Sequence, residues 1–363
     1  MNTHTYSVIM AGGIGSRFWP MSRTTNPKQF LDILGTGKTL IQQTYERMRR
    51  FTPEGQVFVV TNEQYRDLVK EQLPEMGDDQ ILLEPARRNT APCVAYAAYK
   101  IHGLDPEANI VVAPSDHLIL KEDEFVRVIE LALDTAANND ALLTLGIRPS
   151  RPDTGYGYIQ YNEDQILDSN EVCKVKTFTE KPDLDLAKKF LESGDFLWNS
   201  GIFIWSSKSI ISSFNEHLSE VGLLFEEGVD ALNTPDEQAF IGRIYPTCKN
   251  ISIDYGIMEK AKNVYTVPAE FGWSDLGTWG SLYTHVDRDG EGNAVVGAKQ
   301  VMLYDSKRNM VSTSGDKLVV IQGLEDFIVV NTDNALLICK KEDEQMIKQF
   351  VAEAKIEKGD KYV

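Results

Sequence analysis

The first 145 residues alternate short, nearly continuous apolar runs with amphipathic stretches. Residues 6–10, 56–61, 80–83, 109–113 and 141–145 are apolar runs bounded by polar or turn residues, the pattern of strands buried on both faces. Between them the apolar residues recur at helical spacing. Over 39–48, Leu40, Ile41, Tyr45 and Met48 share one face; 64–73, 91–102 and 124–137 read the same way. Such alternation predicts an α/β domain on a mostly parallel sheet, whose ligands gather at the carboxyl ends of the strands.

Further along the texture changes. Strands and helices mix from 153 to 285, with one strand predicted to open at 155–158, another at 172–178, and a largely helical stretch over 208–232. After Asp289-Gly290-Glu291-Gly292-Asn293, short β runs recur at 295–297, 300–304, 318–321, 327–330 and 335–338, and 342–355 reads as a terminal helix. The expected division is therefore 1–288, the main domain, and 289–363, a small β-rich appendix.

The polar residues at the strand ends suggest the chemistry. The first strand runs into Ala11-Gly12-Gly13-Ile14-Gly15-Ser16-Arg17, and Lys28 follows at short range. Glycines let backbone N–H groups approach phosphate oxygens, and the two cations neutralise charge. Two familiar nucleotide motifs are excluded. The dinucleotide fingerprint fails because Phe18 stands at its third glycine. A P-loop ending at Gly37-Lys38-Thr39 fails because Asp32 stands at its first glycine.

A net charge of −17 argues against general nucleic-acid binding and requires any anionic substrate to meet locally concentrated cations or metal. No apolar run is long enough to span a bilayer, and the N-terminus lacks a signal-peptide pattern. The four cysteines have no metal-site spacing and read as reduced, so a cytoplasmic protein is expected. The histidines contain no H-x-x-H pair, which disfavours a histidine zinc site.

Asp116, in Pro114-Ser115-Asp116-His117, and Asp275, in Gly272-Trp273-Ser274-Asp275, are each readable as loop caps, but together offer two hard oxygen ligands. Glu84-Pro85-Ala86-Arg87-Arg88-Asn89-Thr90-Ala91-Pro92 combines an acid and adjacent arginines with a helix start. Glu180-Lys181, Asn199 and Asp254 supply the acids, amide and lysine that sugar hydroxyls and a sugar phosphate require.

Taken in order, seven blocks resemble the mannose-1-phosphate guanylyltransferases (GDP-mannose pyrophosphorylases) of the sugar-nucleotidyltransferase superfamily. They read AGGIGSRFWPMSRTTNPKQF, EPARRNTAPC, PSDH, FTEKP, WNSGIFIW, SIDYGIMEK and GWSDLGTW, and span 6–285, with a fainter likeness beyond. Ser16 stands where the family's loop usually has Thr, and Phe18 where it usually has Leu; neither removes a charge. At 363 residues, the chain is not expected to carry the additional isomerase module of the longer, bifunctional relatives.

The resemblance implies a Rossmann-like nucleotidyltransferase domain with a mixed, mostly parallel sheet, and a C-terminal partial left-handed β-helix. It implies transfer of GMP from GTP to α-D-mannose 1-phosphate, with Mg²⁺ held by Asp116 and Asp275. Ala11, Gly12, Gly13, Gly15 and Ser16 would wrap the nucleotide; Glu84, Arg88, Asn89, Thr90 and Pro92 would form the nucleoside pocket. Arg17 and Lys28 would be catalytic, so Arg17→Ala or Lys28→Ala should cut turnover far more than stability. Gly157, Glu180, Lys181, Asn199 and Asp254 would face the sugar phosphate. Guanine preference comes from the resemblance alone. Other sugar 1-phosphates, such as a heptose or glucose 1-phosphate, and a non-catalytic GDP-mannose-binding regulator remain alternatives. No nucleic-acid or membrane partner is expected, and the apolar appendix could support a homodimer.

Overall fold

The computed structural model describes residues 2–13, 15–167, 171–297, 300–313 and 317–363, with the backbone alone for 163–166. Its strands in chain order are β1 (Thr5–Met10), β2 (Val57–Asn62), β3 (Ile81–Glu84), β4 (Asn109–Pro114), β5 (Leu118–Ile119), β6 (Leu142–Ile147), β7 (Gly157–Ile166), β8 (Cys173–Glu180), β9 (Phe196–Ser206), β10 (Val264–Ala269), β11 (Trp273–Ser274), β12 (Ala294–Val296), β13 (Val301–Tyr304), β14 (Met310–Thr313), β15 (Val319–Gln322), β16 (Phe327–Asn331) and β17 (Leu336–Lys340).

By compactness the chain forms two units that no single cut in the sequence separates. One comprises Met1–Gly12, Tyr45–Ser115 and Ile119–Trp273; the other comprises Gly13–Thr44, Asp116–Leu118 and Ser274–Val363.

The first unit is a mixed sheet of nine strands in the order β3-β2-β1-β4-β9-β6-β10-β8-β7. The apolar runs expected to be strands in the first 145 residues all are, and β1 to β4 pair in parallel as their continuous burial requires. β1 lies between β2 and β4, so the strand order reverses there, and β1 leads into Gly12 while β4 leads into Ser115. In doubly wound sheets that reversal is where ligands bind. Sequence periodicity did not single out β9 or β10. β9 enters antiparallel between β4 and β6, where Ile204 pairs with Val111 on one side and Leu143 on the other and is fully buried. β10 then runs parallel to β6.

Both faces of the sheet are covered. Val8, Phe58, Ile110, Phe203 and Trp205 share a core with the helices Thr90–Leu104 and Ser207–His217, while their alternate neighbours Ile9, Val59, Val111 and Ile204 are also fully buried. The helix Glu122–Asn138 packs against β4, β6, β9 and β10. The helical stretch expected over 208–232 is broken. Ser207–His217 ends at Leu218, Ser219–Glu226 follows, and a 3₁₀ turn covers Val229–Ala231.

In the second unit, β12, β14 and β16 form a parallel sheet completed by antiparallel β17, and β13 pairs in parallel with β15. Asparagines stack its turns. The Asn293 side-chain oxygen accepts the backbone N–H of Asn309 at 3.1 Å, and the Asn309 side-chain oxygen accepts that of Phe327 at 2.9 Å. Phe18, Ile33 and Leu40 share the core of this unit with Trp279, Ile328, Leu337 and Ile347. The glycine-loop segment therefore packs as part of the β-rich body. The terminal helix begins later than expected, at Ile347–Lys358, after a 3₁₀ stretch over Lys341–Met346.

Candidate functional site

In the first unit the glycine loop begins on a rigid base. The Ala11 N–H donates to Val60 O at 2.8 Å, and the Thr61 hydroxyl donates to Ala11 O at 2.9 Å. Gly12 lies over the Glu84 carboxyl group, whose Oε2 would be only 3.2 Å from a Cβ added there. Glu84 ends β3 and is 6% exposed. Burial pushes its pKa up to about 7, against the lowering effects of hydrogen bonds from Tyr245 and Cys93 and of the Arg87 charge. The Tyr245 hydroxyl donates to Glu84 Oε1. Sequence reasoning missed Tyr245. It is distant in the chain and sits in a 3₁₀ turn with no motif around it.

The residues after Glu84 prepare the helix Thr90–Leu104. Asn89 adopts φ 65°, and its side chain accepts the Thr90 N–H at 2.9 Å; Pro92 is buried in the first turn. With ψ at −167°, the Asn89 backbone is in an extended positive-φ conformation that is costly for any residue but glycine. Arg88 is turned to the backbone, donating from Nε to Pro246 O at 3.0 Å. The Thr90 hydroxyl accepts the N–H of Ile253 at 2.9 Å, which ties the start of the helix Thr90–Leu104 to the segment carrying Asp254.

Asp254 and Asn199 meet directly. The Asn199 side-chain amide donates to Asp254 Oδ1 at 2.7 Å, and its oxygen accepts the Thr144 hydroxyl at 3.1 Å. Thr144 was not identified from the sequence. Burial, reinforced by the Glu180 charge, raises the pKa of Asp254 to about 6. Gly157 pairs with Glu180 across β7 and β8, and an added Cβ would strike the Glu180 carboxylate. Lys181, at φ 48°, forms an ion pair with Glu180. Glu180, Lys181, Asn199 and Asp254 thus form one polar cluster lined by Gly157.

The second unit contains the remaining candidates; Ile14, between two of them, lies outside the described residues. Gly15 has φ 63°, and a Cβ there would come within 2.5 Å of Lys28 Cβ. Only glycine gives both that backbone conformation and that close approach. Gly13 has open space on its Cβ side. Ser16 and Arg17 follow in a 3₁₀ turn, Ser16–Phe18.

Lys28 is 4% exposed, and its ammonium has three acceptors: Asp116 Oδ2 at 2.8 Å, Asp275 O at 2.8 Å and Leu276 O at 3.0 Å. One ammonium therefore joins the Asp116 carboxylate to the backbone of the segment that carries Asp275. Burial would raise the pKa of Asp116, but the Lys28 charge, His117 and hydrogen bonding hold it below the ordinary carboxylate value. Asp275 Oδ1 accepts the Gly277 N–H at 3.0 Å. All four cysteines are buried thiols. Among the described residues no helix is long and apolar enough to cross a membrane.

Residues 6–291 match the family model described as Nucleotidyl transferase, and residues 299–353 match the MannoseP isomerase/GMP-like beta-helix domain. The alginate biosynthesis protein AlgA of Pseudomonas putida is 37% identical over 350 residues, covering 95% of this chain and 70% of that protein. A mannose-1-phosphate guanylyltransferase of Salmonella montevideo is 36% identical over 366 residues, covering 98% of this chain and 75% of that one. The crystal structure of a Thermus thermophilus protein described as a mannose-1-phosphate geranyltransferase superposes with a TM-score of 0.86. It is 27% identical, covering 97% of this chain and 99% of that one. The chain belongs to the nucleotidyl transferase family, among the relatives of the mannose-1-phosphate guanylyltransferases.

Proposed function

We propose that the protein transfers GMP from GTP to α-D-mannose 1-phosphate, releasing pyrophosphate and forming GDP-mannose. The observation that carries this reading is the Lys28 ammonium joining Asp116 to the Asp275 segment directly behind Gly15. The similarity to a mannose-1-phosphate guanylyltransferase over 98% of the chain supports the choice of substrates.

In the first unit, Gly12, Glu84, Asn89 and Thr90 would receive the nucleoside, and Gly157, Glu180, Lys181, Asn199 and Asp254 the sugar phosphate. In the second, Gly13, Gly15, Ser16 and Arg17 would bind the nucleotide phosphates, and Asp116 and Asp275 would hold Mg²⁺. The donor set fits that ion. Mg²⁺ takes oxygen ligands, commonly one or two carboxylates with substrate phosphates. The Asp116 carboxylate and the backbone of Asp275 already meet at a single cation, the Lys28 ammonium. Bound there, the metal would offset charge on the phosphates.

A sugar phosphate has a second pKa near ~6 by analogy with phosphoserine, so it is largely dianionic at neutral pH and needs no protein base. Its oxygen forms a bond to the α-phosphorus of GTP while the bond to the β-phosphate bridging oxygen breaks, and pyrophosphate leaves with that electron pair. The residues act by positioning and charge neutralisation. Arg17 faces the phosphates in this reading. Lys28 contributes its charge and fixes Asp116. The division into a catalytic 1–288 and an appended 289–363, and a cytoplasmic location, belong to the same proposal.

The test is pyrophosphate release with Mg²⁺, crossing GTP, ATP, UTP and dTTP with mannose, glucose and heptose 1-phosphates. Release with GTP and mannose 1-phosphate alone is expected. Release with a different pair would move the substrate assignment. No release with any pair, despite GDP-mannose binding, would replace catalysis by a regulatory role.

A further inference from the structure

The second unit carries a second cation beside Arg17. Phe18 and Ile347 meet in one buried core, where the Phe18 ring lies 4.9 Å from that of Trp279. The Ser16–Phe18 turn packs against the helix Ile347–Lys358. This contact fixes the chain neighbours of both anchors, Arg17 and Lys348. They are close enough that the Arg17 charge, with burial adding to it, lowers the pKa of Lys348.

Among the described residues no counter-ion separates them. Glu344, one helical turn before Lys348, instead accepts the Gly280 N–H at 2.7 Å. Arg17 Nε is buried and meets no hydrogen-bond partner among the described residues. Like charges side by side are destabilising. A chain with 54 acidic and 37 basic side chains has ample carboxylates to pair them, yet Lys348 is exposed and Arg17 only partly buried. A guanidinium fork beside a mobile ammonium suits a polyanion, the first binding two oxygens and the second acting as a point charge.

We propose that Lys348, carried by the C-terminal helix, is a further anion-binding residue that with Arg17 holds the β- and γ-phosphates of the nucleotide and the pyrophosphate formed from them. This rests on the guanylyltransferase reading. It brings the appended β-rich segment into the reaction, because the helix that presents Lys348 also buries Phe18 of the glycine loop.

The test is calorimetric titration of inorganic pyrophosphate into the full-length wild type, Lys348→Ala and Lys348→Arg, with thermal unfolding of each as a folding check. Losing one charge-assisted contact should weaken pyrophosphate about tenfold in Lys348→Ala. Lys348→Arg should restore most of it, and unfolding midpoints should stay together. In the reverse reaction KM for pyrophosphate should rise by the same factor, with KM for GDP-mannose unchanged. Equal affinity in wild type and Lys348→Ala, no rescue by arginine, or no pyrophosphate binding by the wild type would each overturn the assignment. Failure of the guanylyltransferase reading is separately visible as wild-type inactivity with every nucleotide and sugar phosphate pair.

Discussion

Lys28 Nζ sits 2.8 Å from Asp116 Oδ2 and the same distance from the backbone carbonyl of Asp275, so one buried ammonium ties the Asp116 carboxylate to a backbone segment from a remote part of the chain. This relationship changes what Lys28 is expected to do. All three of its N–H donors are engaged within the protein, which makes it a support for Asp116 as well as a source of charge.

Lys28→Met should therefore lower kcat/KM by roughly 100-fold or more and also destabilise the fold, by about 1–3 kcal/mol, because buried acceptors lose their donor. Arg17→Ala should give a comparable loss of turnover with unfolding within about 0.5 kcal/mol of wild type, since its side chain has no such engagement. Urea melts and steady-state rates on both variants measure the contrast. Wild-type turnover in Lys28→Met would remove it from the site.

Gly15→Ala tests the loop geometry. An alanine at φ 63° costs roughly 1–2 kcal/mol from backbone strain alone, and its Cβ would also press on Lys28 Cβ. The variant should unfold earlier and lose more than tenfold in turnover as Lys28 shifts off Asp116. Gly13→Ala, where the space is open, is the control and should stay near wild type in stability. Equal unfolding midpoints for the two variants would contradict the described turn.

Glu84 makes stability depend on pH. In the folded protein its carboxyl group keeps a proton up to about pH 7, whereas the ordinary value is 4.5. The folded state thus binds more protons across that window, so this contribution is fully present below pH 4.5 and is lost as pH rises past 7. Between pH 5.5 and 8 it should amount to a loss on the order of 2 kcal/mol. Glu84→Gln, which retains an acceptor for Tyr245, should flatten that dependence and exceed wild type in stability at pH 8. Parallel stability–pH curves for the two proteins would argue against the raised pKa.

A buried ion pair far from the candidate site gives a purely structural expectation. Lys100 Nζ lies 2.5 Å from Glu237 Oε2, with side-chain exposures of 5% and 10%. Glu237 also accepts the Tyr96 hydroxyl at 2.6 Å and the Asn233 N–H at 2.7 Å. Lys100→Met leaves that carboxylate buried with its charge uncompensated and should cost about 3–5 kcal/mol. Pairing it with Glu237→Gln should recover part of the loss. Chemical denaturation of the single and double variants measures the coupling. KM for both substrates should be unchanged in whatever fraction folds.

Much of the architecture was legible because it is local. The apolar runs that became β1 to β4 are short, continuous and bounded by turns, and the glycine loop follows the first of them without interruption. Strand β9 was less visible. Its WNSGIFIW segment was legible as a chemical block, but its place in the sheet depends on partners, β4 and β6, that come earlier in the chain and run opposite to it. The stretch after it is largely helical as expected, but its division at Leu218, at ψ 49°, was not legible because no glycine or proline announces the break.

The sequence by itself determined the elements, the acidic charge balance and the residue types offered to substrate, since propensity, periodicity and motif order act between neighbours along the chain. Only the tertiary structure decided which of those residues meet. It set Tyr245 against Glu84, Thr144 behind Asn199, Lys28 between Asp116 and the Asp275 segment, and the C-terminal helix against Phe18. Hydrogen bonds and ion pairs extend about 3 Å, so they form wherever packing closes the distance and leave no periodic trace in the chain.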